Sequence, residues 1–237
     1  MERQSIVAVG VVLLVTAGLR ANLVAYYPFN GNADDASGNG YHGIVTGATP
    51  CADRFGHANS AYSFPGVNDH IEVPDSPTAT TYVDFSAWVR LDSDEGDRDG
   101  GDILKKGDYL VDQTYHIYVR DETHLPGVSV YVGGQKYAAE SSEGLQLHEW
   151  THIRGVYDGI GTDAGLTLYV DGDSVDYAPV SGVLYQNDDS LWIGIDYLNS
   201  LSAWEGSIDD VWIIVPEPAT LSLLALGGLA LLRRKRN

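Results

Sequence analysis

The sequence predicts an all-β chain folded as an antiparallel two-sheet sandwich. Three observations carry that expectation. Apolar residues recur with period two in runs too short for helices. Aromatic side chains make up 10% of the residues, while 27 glycines and 9 prolines supply turns. No helical-period segment alternates with the strand-like runs. At 237 residues with no internal repeat, one large domain accounts for the length.

The elements follow in chain order. Leu23–Phe29 reads as a first strand, and the Asn-, Asp- and Gly-rich stretch Asn30–Gly43 reads as a loop of tight turns. Ala61–Phe64 and His70–Val73 are short strands separated by Pro65-Gly66. Tyr82–Leu91 alternates at Val83, Phe85, Ala87 and Val89 and is the clearest central strand. Asp92–Asp102 is crowded with carboxylates and reads as a solvated hairpin, since its spacing lacks the Asp-x-Asp-x-Asp-Gly start of an EF-hand loop, with a calcium site as the alternative. Strands follow at Ile103–Lys105, Tyr115–Arg120, Val128–Val132 and Trp150–Tyr157. In the last of these Trp150, His152 and Arg154 share one face, and Thr151, Ile153 and Tyr157 share the other. Asp171-Gly172 between Leu166–Val170 and Asp173–Tyr177 is a type I′ hairpin signature, which reads Asp171, Asp173 and Asp176 as turn residues. Leu191–Asp196 and Gly206–Val215 complete a set of roughly ten to thirteen strands.

Both ends differ from this body. Arg3 and the α-amino group precede the apolar run Ile6–Leu19, and Leu19-Arg20-Ala21 offers a small-residue cleavage site before Asn22. That is the pattern of a secretory signal peptide over 1–21. A retained anchor and an apolar helix of the domain are the alternatives. After the domain, 22–215, come Pro216-Glu217-Pro218, the uncharged run Ala219–Leu232 and Arg233-Arg234-Lys235-Arg236. The run would span about 21 Å as a helix against a hydrocarbon core of roughly 30 Å, and its basic end would face the cytoplasm. This segment, 216–237, resembles the bacterial PEP-CTERM sorting signal. The resemblance implies export in a Gram-negative-type envelope, transient insertion in the inner membrane by a short transmembrane helix, and cutting by an exosortase-type enzyme. The protein would then reach the cell surface or extracellular matrix.

The chain carries a formal charge of −19, and nearly all of its acidic side chains fall within 22–215. Such a surface repels nucleic acid. Cys51 is the only cysteine, so no intrachain disulfide forms.

Seven stretches in order resemble the laminin-G-like, concanavalin A-like jelly-roll family. They are Leu23–Gly31, Asp35–Gly40, Tyr62–Gly66 with Asp69–Val73, Phe85–Val89, Trp150–Gly155, Leu168–Gly172 and Ile208–Val211. The resemblance implies that the terminal strands lie near one another. It also implies structural calcium on Asp35 and Asp209, with Asn39 and nearby carbonyls as further ligands and Asp34 and Asp210 as weaker candidates. By parity Asp209 falls with Val211, Ile213 and Val215, which points it toward the core, where a carboxylate needs a cation or several donors. A hydrogen-bonded structural junction is the alternative.

Nothing in the sequence assembles a catalytic centre. The Glu-x-Asp-x-x-Glu pattern of related glycosidases is absent, and Glu140, Glu143 and Glu149 lie around a predicted loop. Cys51, His42 and His57 have no orienting partner at motif spacing, and no phosphate-binding glycine motif occurs. Tyr115, Tyr118, Tyr131, Tyr137 and Trp88 read individually as core or cross-strand packing, and ring surfaces for a sugar are the functional alternative. The expectation is a non-enzymatic domain binding an extracellular polysaccharide or surface protein. A polysaccharide-active hydrolase or lyase and a purely structural matrix component are the alternatives.

Overall fold

A computed structural model describes residues 21–74, 76, 78–93, 101–107, 113–195 and 202–216. The leader, the apolar part of the sorting segment and most of the acidic hairpin lie outside the described residues. So does the transmembrane expectation. No helix among the described residues is long and apolar enough to cross a membrane.

Two antiparallel sheets form the sandwich. The first comprises β1 (Ala21–Tyr27), β3 (Thr49–Cys51), β4 (Ala61–Phe64), β6 (Tyr82–Leu91), β11 (Trp150–Asp158), β12 (Gly165–Val170), β13 (Asp173–Pro179) and β15 (Gly206–Pro216). Their spatial order is β13-β12-β11-β6-β15-β4-β3, with β1 also paired to β15. The second comprises β2 (Ile44–Thr46), β5 (His70–Val73), β7 (Gly101–Lys106), β8 (Tyr115–Val119), β9 (Pro126–Val132), β10 (Gln135–Glu140) and β14 (Leu191–Ile193). Their order is β10-β9-β8-β7-β14-β5-β2.

Alternation places the core between the sheets. Val83, Phe85, Ala87 and Val89 of β6 and Ile153 and Tyr157 of β11 are fully buried, facing Ile117, Val128, Val130 and Ile193 of the second sheet. The Phe85 and Tyr115 rings meet across the interface with centroids 5.1 Å apart. Phe85 also lies over Gly155, its register partner, where an added Cβ would meet the ring at 2.5 Å.

Strand β15 is the organising element. Its first residues pair with β4 and its last with β1 on one side, while β6 borders it along the other. The register against β6 breaks between Asp209 and Trp212, and Asp210 adopts φ 46°. Ile208, opposite Val89, points inward, so Asp209, opposite Trp88, points outward. The parity that aimed Asp209 at the core fails because the bulge inserts an extra residue before Val211. Val211 and Ile213 face the core as expected.

Strands β2, β3 and β10 escape the sequence reading. The first two are three-residue pieces with mostly exposed side chains, and β10 buries only Ala139 fully. Without a buried face a short strand leaves no alternation to detect.

Candidate functional site

The loop after β1 is built around Asp35. Its Oδ1 accepts the backbone N–H of Tyr26 at 3.0 Å and of Ser37 at 2.8 Å. Its Oδ2 accepts the Ser37 hydroxyl at 2.8 Å and the Tyr41 N–H at 3.1 Å. Burial works to raise the Asp35 pKa, but these donors outweigh it and hold the carboxyl below the ordinary aspartate range. Asn39 turns its amide nitrogen to the carbonyls of Val24 and Leu23 at 2.9 and 3.2 Å. Asp35 and Asn39 therefore bind the loop back onto β1.

Asp209 has a different partner. The loop between β3 and β4 delivers Arg54, whose Nη1 donates to Asp209 Oδ2 and whose Nη2 donates to Asp210 Oδ2, each at 2.7 Å. Asp210 Oδ1 accepts the Tyr26 hydroxyl at 2.7 Å, so Tyr26 joins the Asp35 loop to the bulge. Two carboxylates share one guanidinium. Burial, followed by the adjacent Asp210 charge, pushes the Asp209 pKa up to about 7 against the pull of Arg54. Among the described residues no group of three or more His, Cys, Asp or Glu side chains is placed to hold a metal.

Arg54 belongs to a wider pattern on the outward face of the first sheet. It stacks over Phe55 and Trp88 at 4.5 and 4.7 Å. Arg90 stacks over Trp150 at 5.4 Å and grips Asp92 through Nε at 2.6 Å and Nη2 at 3.1 Å. Arg154 stacks over Tyr169 at 5.2 Å and pairs with Asp84 through two 2.7 Å bonds. Each guanidinium is thus fixed twice, by a ring and by carboxylate oxygens. Trp150, Trp88 and Trp212 lie on the adjacent strands β11, β6 and β15. The register steps them along a diagonal: Trp150 faces Arg90, Trp88 faces Asp209, and Trp212 faces Ser86. Trp212 is 42% exposed and Phe55 is 70% exposed. Sequence reasoning found Trp88 but missed this set, whose signal was the outward parity of Trp150, His152 and Arg154.

The tyrosines divide between environments. Tyr115 is fully buried and Tyr137 packs against the core, so core packing is the reading that holds at these two. Their strands turn those positions inward. Tyr118 and Tyr131 lie on the outward face of the second sheet.

The residues weighed for catalysis are engaged elsewhere. Glu140 accepts bonds from Tyr118 at 2.6 Å and from Arg120 at 2.5 and 2.9 Å. Burial raises the Cys51 pKa, which disfavours the nucleophilic thiolate, and its sulfur lies 3.6 Å from Ser207 Oγ. His57 pairs with Asp53 at 2.9 Å on an exposed loop.

Fold and surface together define a jelly-roll, lectin-like β-sandwich. The chain belongs to the concanavalin A-like lectin/glucanases superfamily, whose Laminin_G_3 family matches residues 65–215. Residues 215–236 match the PEP-CTERM protein-sorting motif, a signal for export to the bacterial envelope or surface through exosortase-type processing.

Among solved structures, the chain is similar to domain 4 of AbnA, a GH43 extracellular arabinanase from Geobacillus stearothermophilus, in complex with arabinotriose. The identity is 17%, over 83% of this chain and 93% of that one, with a TM-score of 0.59. The binding domain of Paraclostridial Mosquitocidal Protein 1 matches at 17% identity over 84% of this chain and 50% of that one, with a TM-score of 0.62. The receptor binding domain of botulinum neurotoxin D matches at 14% identity over 86% and 52%, with a TM-score of 0.59. The chain spans about half the length of these two toxin structures, and likeness at such identities shows the fold alone. No curated protein sequence matches.

Proposed function

We propose that this exported domain binds an extracellular carbohydrate without cleaving it, on the outward face of the first sheet. The observation that carries this reading is the diagonal of Trp150, Trp88 and Trp212 set among three ring-stacked Arg–Asp pairs. Sugars are held by apolar ring contact together with oriented donors and acceptors, and fixed side chains lose little entropy on binding. The arabinotriose in the AbnA structure makes arabinan a reasonable first polymer to try.

The non-catalytic part of the reading is supported by the engagement of Glu140 with Arg120 and Tyr118. The test is a pull-down of the full chain in mild detergent on insoluble arabinan, cellulose and the host's own surface polysaccharide, with reducing ends assayed in parallel. Retention without release of reducing ends is expected. Release would make it a hydrolase, and no retention on any polymer would leave the structural matrix component.

Calcium on Asp35, Asn39 and Asp209 is a separate proposal with its own test. A bound ion would make millimolar calcium raise Tm and EDTA lower it. The protein donors on Asp35 and the guanidinium on Asp209 favour the alternative, a junction indifferent to both.

A further inference from the structure

The outward face of the second sheet carries a buried polar row. Register aligns Trp192 with Lys105, Lys105 with His116, His116 with Ser129, and Ser129 with Ala138. Their neighbours Leu104, Ile117, Val128 and Ile193 fill the core, so the row points the other way. Trp192, Lys105, His116 and Ser129 are nonetheless buried, while Ala138 at the β10 end is exposed.

Two atoms in this row have no partner. His116 Nε2 lies 2.6 Å from Asp102 Oδ1, whereas His116 Nδ1 and Ser129 Oγ, side by side across β8 and β9, are buried and unbonded. The His116 pKa is lowered, because burial outweighs the Asp102 charge and hydrogen bond, so the ring is neutral at physiological pH. The neutral ring donates its Nε2–H to the Asp102 carboxylate, which leaves Nδ1 as an acceptor lone pair. Ser129 offers one O–H donor and two lone pairs beside it. Buried polar atoms left unmet are costly, so native structures satisfy them.

Aromatic surface adjoins the pair. The Tyr118 ring stacks on His116 with centroids 4.9 Å apart and lies over Gly127, where an added Cβ would meet it at 2.6 Å. Its hydroxyl is fixed by Glu140 at 2.6 Å. We infer that His116 Nδ1 and Ser129 Oγ form a subsite for two neighbouring hydroxyls of a neutral sugar, entered from the exposed β10 side. One hydroxyl donates to Nδ1 and the other exchanges hydrogen bonds with Ser129. A carboxylate or phosphate oxygen without a proton cannot donate to Nδ1, so the pair selects hydroxyls over anionic oxygens at that position. This site is separate from the tryptophan diagonal and rests on different atoms.

The test follows the side-chain 15N resonances of His116 in the full chain, assigned by His116→Gln, during titration with L-arabinose, D-galactose and D-galacturonate. A saturable shift of Nδ1 with a neutral sugar is expected, weakened at least tenfold in Ser129→Ala and unchanged in Trp212→Ala. Ser129→Cys, which retains a weaker donor and acceptor, should bind between the two and serves if the alanine variant does not fold. Absence of a saturable shift with either neutral sugar overturns the inference, as does an unaltered response in both Ser129 variants. Tighter binding of galacturonate overturns it equally. A crystal structure grown with the sugars that shows a water bridging the two atoms and no sugar does the same. Because Trp212→Ala acts only on the polymer pull-down, failure here and failure of the first-sheet reading are distinguishable.

Discussion

Arg54 Nη1 lies 2.7 Å from Asp209 Oδ2, and the Asp209 side chain is only 3% exposed although it stands on the outward face of its sheet. A loop more than 150 residues away in sequence supplies the one cation that the Asp209–Asp210 bulge needs.

Replacing Arg54 with Met strands two carboxylates and should cost about 3–5 kcal/mol, as loss of one partner from a buried pair does. Urea denaturation at pH 5 and pH 8 reads the pH sign. An acid whose folded pKa is raised contributes stability below its unfolded value near 4 and loses it as the pH rises toward about 7. The wild type should therefore lose stability from this group between pH 4 and 7, and Arg54→Met should be hurt more at pH 8. Asp209→Asn should flatten the slope.

Asp35 has the opposite sign. Its lowered pKa contributes stability above the ordinary aspartate value, and that stability is lost as the pH falls through the folded value below it. Asp35→Ala should destabilise the domain to urea by about 1–3 kcal/mol, since half-buried donors on Tyr26, Ser37 and Tyr41 lose their acceptor. Acid titration of the variant should show a shallower loss of stability below pH 4.

Trp212→Ala should weaken polysaccharide retention about tenfold while shifting Tm by only a few degrees, because the indole is 42% exposed. Tyr115→Leu should do the reverse, lowering Tm and leaving binding unchanged. Pull-down and calorimetry on both variants separate the face from the core.

Gly127→Ala tests how Tyr118 is placed. A methyl group 2.6 Å from that ring forces it to move, costing about 1–3 kcal/mol and weakening the His116 response to sugar. Gly155→Ala, against the fully buried Phe85, should cost at least as much in urea and leave sugar binding intact.

What was legible in the sequence follows from burial. Long strands with one buried face, such as β6 and β11, announce themselves by alternation, and Asp171-Gly172 marks its hairpin through positive φ at both residues. The strands β2, β3 and β10 bury too little to show a period. Asp35 was singled out as a calcium ligand, with a hydrogen-bonded junction as the alternative, because a carboxylate in a Gly- and Asn-rich loop needs a cation or donors, and protein donors surround it. Arg54 was not found, for its partners are set by a bulge that shifts parity at Asp210, and no local pattern encodes which loop crosses β15. The buried row from Trp192 to Ser129 likewise arises from register between strands distant in sequence.

Ala21 stands opposite Pro216 in the β1–β15 ladder, and Asn22 stands opposite Val215. The junction expected for leader removal and the Pro-Glu-Pro junction thus share a single rung. A protease acting at either must work within a residue or two of hydrogen-bonded sheet, so that rung has to be open, or not yet made, when the cut occurs. Processing at either terminus would then be a matter of timing against the closure of one strand pair.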